Sequence, residues 1–360
     1  MTDSQFMAHA LALAARGLGR VWPNPAVGCV IVRDGVVVGR GFTADGGRPH
    51  AESQALTQAG AAARGATAYV TLEPCAHHGQ TPPCAQALVD AGLTRVVVAA
   101  RDPDPRVNGG GLAMLRNAGI KVTGGVMEAE ARALQAGFLS RVEHGRPFVT
   151  LKLAMTLDGR IATASGESQW ITGPAARAHV HAQRARHDAV MVGAGTARVD
   201  DPQLTVRGMG DVPQPVRIVL SRHLNVPVDS AMTRGAAPLW MLHGDAPQER
   251  QAALKARNVT LIPCSAGPGG HIDLDAALIE LGSRGLTRVY CEGGGTLAAA
   301  LLSQGLVDRL DCYTAGAVIG AEGTPGLGAM GLSALADAPR LRLTEARRLG
   351  TDLLHSWTTE

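Results

Sequence analysis

Three side chains that can bind a metal are distinguished by their type and spacing. His50 begins the triplet His-Ala-Glu, Cys75 follows the pair Glu-Pro, and Cys84 comes nine residues after Cys75. One imidazole and two thiolates form a zinc ligand set that leaves a fourth position for water, as in catalytic rather than structural sites. Zinc held in this way lowers the pKa of its bound water towards neutrality. We therefore predict one zinc ion per chain at His50, Cys75 and Cys84.

Glu52 is the residue that could move protons at such a site. It is too close to His50 in sequence to be a natural fourth ligand, and its carboxylate can face the bound water instead. There it would take a proton from water and pass it to departing ammonia. A His-x-Glu triplet followed by Pro-Cys is typical of zinc-dependent nucleobase deaminases, whose cysteines are usually two residues apart. Here the eight residues AHHGQTPP separate the cysteines.

Two other interpretations of the cluster remain open. His77 or His78 could compete as a ligand, and a closed fourth ligand such as His77 would indicate structural zinc in a scaffold or regulatory protein. A deaminase of another base or of tRNA would carry the same zinc residues, with a binding module downstream. The scattered Lys and Arg residues, a net charge of +3 and an aromatic content of 3% argue against RNA binding.

Helix and strand patterns that would position these residues alternate along the chain, which predicts an α/β fold. A length of 360 residues indicates about two domains. Asp34-Gly35 predicts a hairpin over 27–38, because this pair favours the turn that joins two strands. A polar linker at 143–147 separates a predicted domain 1–145 from a second domain, 147–360.

The second domain contains two features that could bind a ligand. Glu292 is followed by Gly293-Gly294-Gly295 between a strand and a helix, where backbone N–H groups can hold a phosphate, although such a sequence is often only a turn. It is not the fingerprint of a Rossmann unit. Lys152 lies in an apolar strand, so it must face a cavity or pair with a carboxylate, for which Asp200 or Glu292 is our candidate. A structural ion pair is the alternative.

Taken together, the motifs resemble the bifunctional riboflavin-biosynthesis deaminase–reductase family over nearly the whole chain. The matching segments are PNPAVGCVIV (23–32), HAE (50–52), EPCAHHGQTPPC (73–84), KLAMTLDGRIA (152–162), SQWIT (168–172), GAGTARVDDPQLTVR (193–207) and EGGGTL (292–297). The expanded spacing that ends in TPPC distinguishes this branch from cytidine and tRNA-adenosine deaminases. The resemblance implies an N-terminal cytidine-deaminase-like zinc domain followed by a dihydrofolate-reductase-like domain.

The resemblance also implies two reactions. The first is hydrolytic deamination of 2,5-diamino-6-ribosylamino-4(3H)-pyrimidinone 5′-phosphate, with Asn24 against the pyrimidine. The second is NADPH-dependent reduction of the ribosyl side chain to ribityl. The residues implied to line NADPH are Ala154, Trp170, Thr196, Asp200, Ser221, Gly294, Gly295, Thr296 and Leu297, with Arg222 a candidate for its 2′-phosphate. Those implied to contact the substrate are Ser168, Arg184, Leu204, Arg207 and Glu292, the two arginines as forks for its 5′-phosphate.

Two positions depart from the family pattern. The family usually carries a basic residue where Gln80 stands, and DPNPxVxG where this chain has DPDPRVNG, which introduces Asp104. Both segments border the expected phosphate site of the deaminase. We expect weaker phosphate binding there unless Arg106, Asn108 or His77 compensates.

The remaining features concern the location and partners of the protein. The N-terminal segment is a short amphipathic helix without a signal-peptide cleavage site, and no apolar stretch approaches membrane-spanning length. Six cysteines in a chain this long do not indicate a disulfide framework. We expect a cytoplasmic homo-oligomer that binds a phosphorylated pyrimidine and neither nucleic acid nor membrane.

Overall fold

The structure, a computed structural model, describes residues 1–77 and 82–359. Residues Met1–Arg146 form one compact unit and Pro147–Glu360 form another. Each unit combines a sheet that contains parallel and antiparallel strand pairs with helices, so the predicted α/β class is confirmed.

The described part of the N-terminal unit is built on a five-stranded sheet in the order β2-β1-β3-β4-β5. Its strands are β1 (Gly28–Arg33), β2 (Val36–Phe42), β3 (Thr67–Leu72), β4 (Arg95–Ala100) and β5 (Lys121–Gly124). β1 runs antiparallel to β2 and β3, whereas β3, β4 and β5 run parallel. The predicted hairpin turns at Asp34-Gly35, where φ is positive at both residues.

The helices of this unit are α1 (Asp3–Ala14), α2 (Ala51–Ala59), α3 (Cys84–Asp90), α4 (Gly110–Asn117) and α5 (Glu128–His144). α2 packs very closely on β2: a Cβ atom added to Gly41 would lie 2.1 Å from the Ala51 carbonyl oxygen. α5 continues to His144 and ends at Gly145, whose φ is 73°. The helix therefore extends into the region that the sequence predicts as a linker, because Glu143 and His144 are polar but do not break a helix.

The described part of the C-terminal unit contains a nine-stranded sheet in the order β11-β10-β9-β8-β12-β6-β13-β16-β15. β16 is antiparallel to both of its neighbours, and the other pairs are parallel. The strands are β6 (Phe148–Thr156), β7 (Arg160–Ala162), β8 (Ala189–Gly193), β9 (Val216–Leu220), β10 (Leu239–His243), β11 (Thr260–Pro263), β12 (Arg288–Cys291), β13 (Arg309–Ala315), β14 (Thr324–Pro325), β15 (Leu341–Leu349) and β16 (Asp352–Thr359), of which β7 and β14 form a separate pair.

The helices of the second unit are α6 (Pro174–Arg184), α7 (Ala194–Asp200), α8 (Ala231–Arg234), α9 (Gln248–Lys255), α10 (Leu274–Ser283) and α11 (Gly295–Ser303). Because β12 lies between the parallel strands β6 and β8, the carboxyl ends of these strands meet at one edge of the sheet. Open α/β sheets bind their ligands at this edge. Within the described chain, none of the helices has both the length and the apolar character that a bilayer crossing requires.

Candidate active sites

The structure brings the three predicted zinc ligands together in the N-terminal unit. His50 immediately precedes α2, Cys75 lies beyond β3, and Cys84 is the first residue of α3. The His50 Nδ1 atom lies 3.3 Å from the Cys84 sulfur and 3.8 Å from the Cys75 sulfur. All candidate ligand atoms of these residues lie within 4.8 Å of one another. One ion of the size of zinc could therefore contact all three.

The charges of this cluster also fit a bound cation. Burial raises the pKa of Glu52 to about 7, and the nearby Cys75 adds to the effect. A hydrogen bond with Cys84 lowers the pKa of Cys75 to about 4, and the same contact raises the pKa of Cys84. Two thiolates and a carboxylate therefore cannot all ionise here without a compensating positive charge. A divalent ion that takes imidazole and thiolate ligands supplies that charge, and zinc prefers this donor set.

Glu52 lies in the first turn of α2 and is only 3% exposed. Because α2 begins directly after His50, the helix holds the carboxylate against the cluster without making it one of the three ligands. A buried carboxylate with its pKa near neutrality can both accept and release a proton under physiological conditions.

Glu73, which directly follows β3, has a structural role that the sequence did not reveal. Its carboxylate accepts hydrogen bonds from the backbone N–H groups of Gly109, Gly111 and Leu112 at 3.1, 3.1 and 3.3 Å. These are the unsatisfied N–H groups at the start of α4, where a negative charge is stabilising. Glu73 thus links the residues before Cys75 to α4.

Of the two histidines proposed as competing ligands, the structure describes His77 but not His78. Among the described residues, the metal-binding cluster contains His50, Cys75 and Cys84 but not His77, and the buried Nδ1 atom of His77 has no hydrogen-bond partner. His78 and Gln80 lie outside the described residues. Asn24 packs against Gly47, three residues before His50. This unpartnered Nδ1 atom of His77 is available to form a hydrogen bond with a substrate.

The departure at Asp104 is neutralised locally. Arg106 donates from Nε to both carboxylate oxygens of Asp104, at 2.9 and 3.1 Å, and from Nη2 at 2.5 Å. These hydrogen bonds lower the pKa of Asp104. Asp102 accepts the Asp104 backbone N–H at 2.9 Å, and burial raises its pKa to about 6. The added carboxylate therefore does not present an unpaired charge, but it also engages Arg106.

In the second unit, a cavity of about 660 Å³ opens at the carboxyl ends of β6 and β12. A second cavity of about 480 Å³ shares several of its lining residues. The larger cavity is lined by all five implied substrate residues, Ser168, Arg184, Leu204, Arg207 and Glu292. Ala154, Thr196 and Asp200 line both cavities, Trp170 lines the larger, and Gly294, Gly295, Thr296 and Leu297 line the smaller. Ser221 directly follows β9 and is not among the residues that line either cavity in the described chain.

Three charged side chains that line the larger cavity, Lys152, Arg184 and Glu292, form one network. Arg184 donates to Glu292 from Nε at 2.5 Å and from Nη2 at 3.0 Å. The Lys152 ammonium lies 4.0 Å from the same carboxylate, which is one of the two partners considered for it. Burial lowers the pKa of Lys152, while Glu292 opposes the shift. The two cations hold Glu292 ionised despite its burial, and its pKa is lowered.

The cavity also contains polar residues that the sequence did not single out. His181 and Arg177 on α6 line it, together with Gln169 and Gln203. The Arg177 guanidinium lies 4.8 Å from the centre of the Trp170 ring and donates to the Thr172 carbonyl at 2.7 Å. Arg177 thereby fixes the SQWIT segment. The helical spacing of His181 and Arg184, three residues apart on α6, is the signal that could have identified His181.

Comparison with protein-family models assigns each unit to a class of enzyme domain. The family model for the cytidine and deoxycytidylate deaminase zinc-binding region matches residues 1–100, and the model for the RibD C-terminal domain matches residues 147–355. A zinc-binding deaminase domain is thus followed by a reductase domain of the dihydrofolate-reductase type, as the motifs predict.

Full-length relatives narrow this class to one family. The riboflavin biosynthesis protein RibD of Escherichia coli is 43% identical over 365 residues, which cover 98% of each chain. Solved structures of RibD from Acinetobacter baumannii and of a diaminohydroxyphosphoribosylaminopyrimidine deaminase/5-amino-6-(5-phosphoribosylamino)uracil reductase from Thermotoga maritima both superpose with a TM-score of 0.89. They are 40% and 35% identical and match over 99% of each chain. The chain belongs to the RibD family of bifunctional riboflavin-biosynthesis deaminase/reductases, and the predicted family is confirmed.

Proposed function

We propose that the chain deaminates 2,5-diamino-6-ribosylamino-4(3H)-pyrimidinone 5′-phosphate and then reduces the ribosyl side chain of the product with NADPH. The observation that carries the proposal is the buried Glu52 beside a His, Cys, Cys cluster, in one chain with a charged reductase cavity. The Thermotoga maritima protein, whose structure matches 99% of this chain, is named for these two activities, and the Escherichia coli relative is named as a riboflavin biosynthesis protein.

In the deaminase unit, His50, Cys75 and Cys84 would hold one zinc ion, which when bound would supply an activated water. Glu52 takes the proton from the attacking water and delivers it to the exocyclic amino group, which leaves as ammonia. Its raised pKa suits both steps, because the same group must accept and then donate. Asn24 would contact the pyrimidine ring.

In the reductase unit, the residues lining the two adjoining cavities would hold NADPH and substrate in contact with each other. Gly294 begins the turn before α11, and its backbone N–H donates to the Thr196 hydroxyl at 3.0 Å. The backbone N–H groups that follow at this helix start can bind a cofactor phosphate. NADPH would supply the hydride, Lys152 would protonate the opening ribose, and the ionised Glu292 would stabilise it. Ser168 and Leu204 would bound the substrate.

The proposal is tested by giving the purified protein the diamino ribotide. We expect about one zinc per chain, release of ammonia, and subsequent oxidation of NADPH. Zinc absent after careful metal analysis, or release of ammonia from RNA but not from the ribotide, would contradict the deaminase assignment. Unchanged NADPH in the presence of pre-deaminated ribotide would contradict the reductase assignment.

We also propose that the protein acts as a cytoplasmic homo-oligomer. The outermost strand, β15, exposes Leu343 at 48% and forms an edge of the large sheet. An edge strand that carries apolar side chains offers pairing to a second copy. Sedimentation equilibrium of the full chain should give a mass larger than one protomer, and a monomer at working concentration would oppose this proposal.

A further inference from the structure

Thr43 is a buried polar residue between β2 and the candidate zinc ligand His50. It directly follows β2 and is only 2% exposed. Its Oγ1 atom accepts the backbone N–H of Val27 at 2.9 Å and donates to the Pro25 carbonyl at 3.0 Å. A threonine hydroxyl has a single hydrogen to donate, so the bond to Pro25 occupies it. Thr43 therefore joins the segment that leads to His50 to the segment that contains Asn24.

The Thr43 side chain completes the pairing of β1 with β2 at the end of the two strands. The Thr43 backbone N–H donates to the Val27 carbonyl at 2.9 Å, one residue beyond the last pair of the ladder. The Val27 N–H bonds to the Thr43 hydroxyl. Of the two carbonyls near that hydroxyl, Pro25 is the closer acceptor, since the Val27 carbonyl lies 3.5 Å away. The hydroxyl therefore fixes the backbone directly after Asn24.

Two further contacts hold the same two segments together. The Gly46 backbone N–H donates to the Arg20 carbonyl at 2.9 Å. Gly47 packs directly against Asn24, because an added Cβ would lie 2.0 Å from the Asn24 Nδ2 atom and 2.6 Å from its Cγ. The φ of Gly47 is 89°, which other residues rarely adopt. The Asn24 amide is thus held against the loop that ends at His50.

The zinc end of this loop is held independently of the hydroxyl. Gln54 of α2 donates from Nε2 to the Phe42 carbonyl, and also to the Pro49 carbonyl at 3.3 Å. These two carbonyls lie on either side of Thr43 in the sequence, and the Thr43 hydroxyl takes part in neither contact. Loss of the hydroxyl should therefore disturb the segment of Asn24 more than the candidate zinc ligands.

We propose that Thr43 is a positioning residue of the deaminase, which sets the place of the Asn24 amide relative to the zinc cluster. This inference rests on the proposed deamination, in which Asn24 contacts the pyrimidine. Without the hydroxyl, the Val27 N–H and the Pro25 carbonyl lose a partner, and a buried backbone group without a partner is unfavourable. The segment must then shift to satisfy these groups, and Asn24 moves with it.

The experiment compares Thr43→Val with Thr43→Ser in the full-length protein loaded with zinc. Valine resembles threonine in shape but lacks the hydroxyl, whereas serine keeps it. Deamination of the diamino ribotide is followed as release of ammonia. For Thr43→Val we expect KM to rise about 10-fold with kcat nearly unchanged, as for loss of one hydrogen bond to the substrate. Thr43→Ser should keep most of the wild-type KM, and zinc content should equal that of the wild type in both variants.

A double variant separates positioning from a merely structural role. If Thr43 acts through Asn24, then Asn24→Ala already removes the contact with the pyrimidine, and adding Thr43→Val should raise KM no further. Increases in KM that multiply, as they do for independent residues, would overturn the proposal. An unchanged KM in Asn24→Ala or in Thr43→Val would overturn it as well, and so would equal losses in Thr43→Val and Thr43→Ser.

Further variants control for folding. Thr43→Ala also lacks the hydroxyl but places no additional methyl group beside the Pro25 carbonyl, so it should reproduce the rise in KM. Failure of both hydroxyl-free variants to fold would mean that the hydroxyl serves the fold rather than the site. Thr57→Val removes an exposed hydroxyl of the same unit, which donates to the Ser53 carbonyl at 2.9 Å, and should leave KM unchanged. A wild-type protein that releases no ammonia from the ribotide would instead overturn the proposed deaminase function.

Discussion

At the scale of single residues, the decisive property of Glu52 is its burial beside three candidate metal ligands. A carboxylate in water would have little affinity for a proton at neutral pH, but burial raises the pKa of this one to about 7. Because its position at the start of α2 places it next to His50 without joining the ligand cluster, its oxygens remain available for proton transfer. Binding and proton transfer are thus assigned to different side chains.

Glu52→Gln should remove proton transfer while keeping the size and position of the side chain. We expect the deaminase kcat to fall by about 10²-fold to 10⁴-fold, the usual range for loss of a general acid–base group. Zinc content and reduction of pre-deaminated ribotide should stay at wild-type levels. Glu130→Gln, which changes an exposed glutamate on α5, is the matched control. A variant that keeps more than half of the deaminase activity would exclude Glu52 as the proton carrier.

Arg184→Lys should distinguish a positioning residue from a phosphate ligand. Lysine keeps the positive charge but loses the two parallel hydrogen bonds to Glu292. We expect the reductase kcat to fall about 10-fold, while the ratio of kcat/KM for phosphorylated and dephosphorylated substrates is preserved. Steady-state kinetics with both compounds measure this ratio. A selective loss for the phosphorylated compound would show that Arg184 binds the phosphate after all.

The residues that could be found from the sequence are those whose partners are local or whose types are unusual. His50, Glu52, Cys75 and Cys84 combine a short triplet with two cysteines, so their chemistry is visible without a structure. Arg184 and Glu292 are 108 positions apart in the sequence, so their ion pair cannot be predicted from a local sequence pattern. The sequence therefore identified both residues through resemblance but did not indicate that they pair with each other.

At the scale of secondary structure, the contact between α2 and β2 determines where His50 and Glu52 lie. Gly41 of β2 faces the first turn of α2, and an added Cβ would be 2.1 Å from the Ala51 carbonyl and 2.8 Å from the Gln54 Cβ. Neither the backbone of a helix nor its Cβ atoms can move aside alone. Any side chain at Gly41 must therefore displace the start of the helix that carries the candidate site.

Gly41→Ala should consequently reduce zinc retention and deaminase activity together. Overpacking of this kind costs about 1–3 kcal/mol. Reductase activity should be unaffected because Lys152, Arg184 and Glu292 belong to the other unit. Gly124→Ala is the control, since a Cβ at this strand residue meets nothing within 4 Å and its φ is not positive. Zinc content equal in the two variants would mean that α2 tolerates displacement.

The first helix is attached to the same sheet by an ion pair. Arg95 of β4 donates to Asp3 at 2.9 and 2.6 Å, and the Tyr69 hydroxyl donates to Asp3 at 2.8 Å. The hydrogen bonds from Arg95 lower the pKa of Asp3 below its ordinary value of 3.8. Because the folded pKa is depressed, the stabilisation is complete above the ordinary value and is lost as pH falls through the folded pKa.

Asp3→Asn should therefore destabilise the N-terminal unit at neutral pH but not in strong acid. Asp3 is partly exposed, so solvent screening limits the expected effect to about 1 kcal/mol. Urea unfolding at neutral pH and at a pH below the lowered pKa of Asp3 measures the difference. Asp275→Asn, in the first turn of α10, lacks such a pair within the described chain and should show no comparable pH dependence. A constant difference at all pH values would contradict the ion-pair explanation.

At the scale of the whole molecule, the candidate residues for each reaction lie within one unit. His50, Glu52, Cys75 and Cys84 all belong to Met1–Arg146, and every residue that lines the two reductase cavities belongs to Pro147–Glu360. The motifs predicted this division because they occur in separate halves of the chain. They could not predict whether the intermediate leaves one copy of the protein before its reduction, since that depends on diffusion rather than on residue types.

Mixing two singly inactivated variants answers this question, with Glu52→Gln to stop deamination and Glu292→Gln to stop reduction. Each variant alone should fail to oxidise NADPH when given the diamino ribotide. Because the candidate residues of each reaction lie within one unit, we expect the mixture to recover NADPH oxidation after a lag, at a rate that rises with the concentration of both variants. Absorbance of NADPH over time measures it. A mixture that stays inactive, although each variant retains its other activity, would mean that the intermediate must be transferred within a single chain.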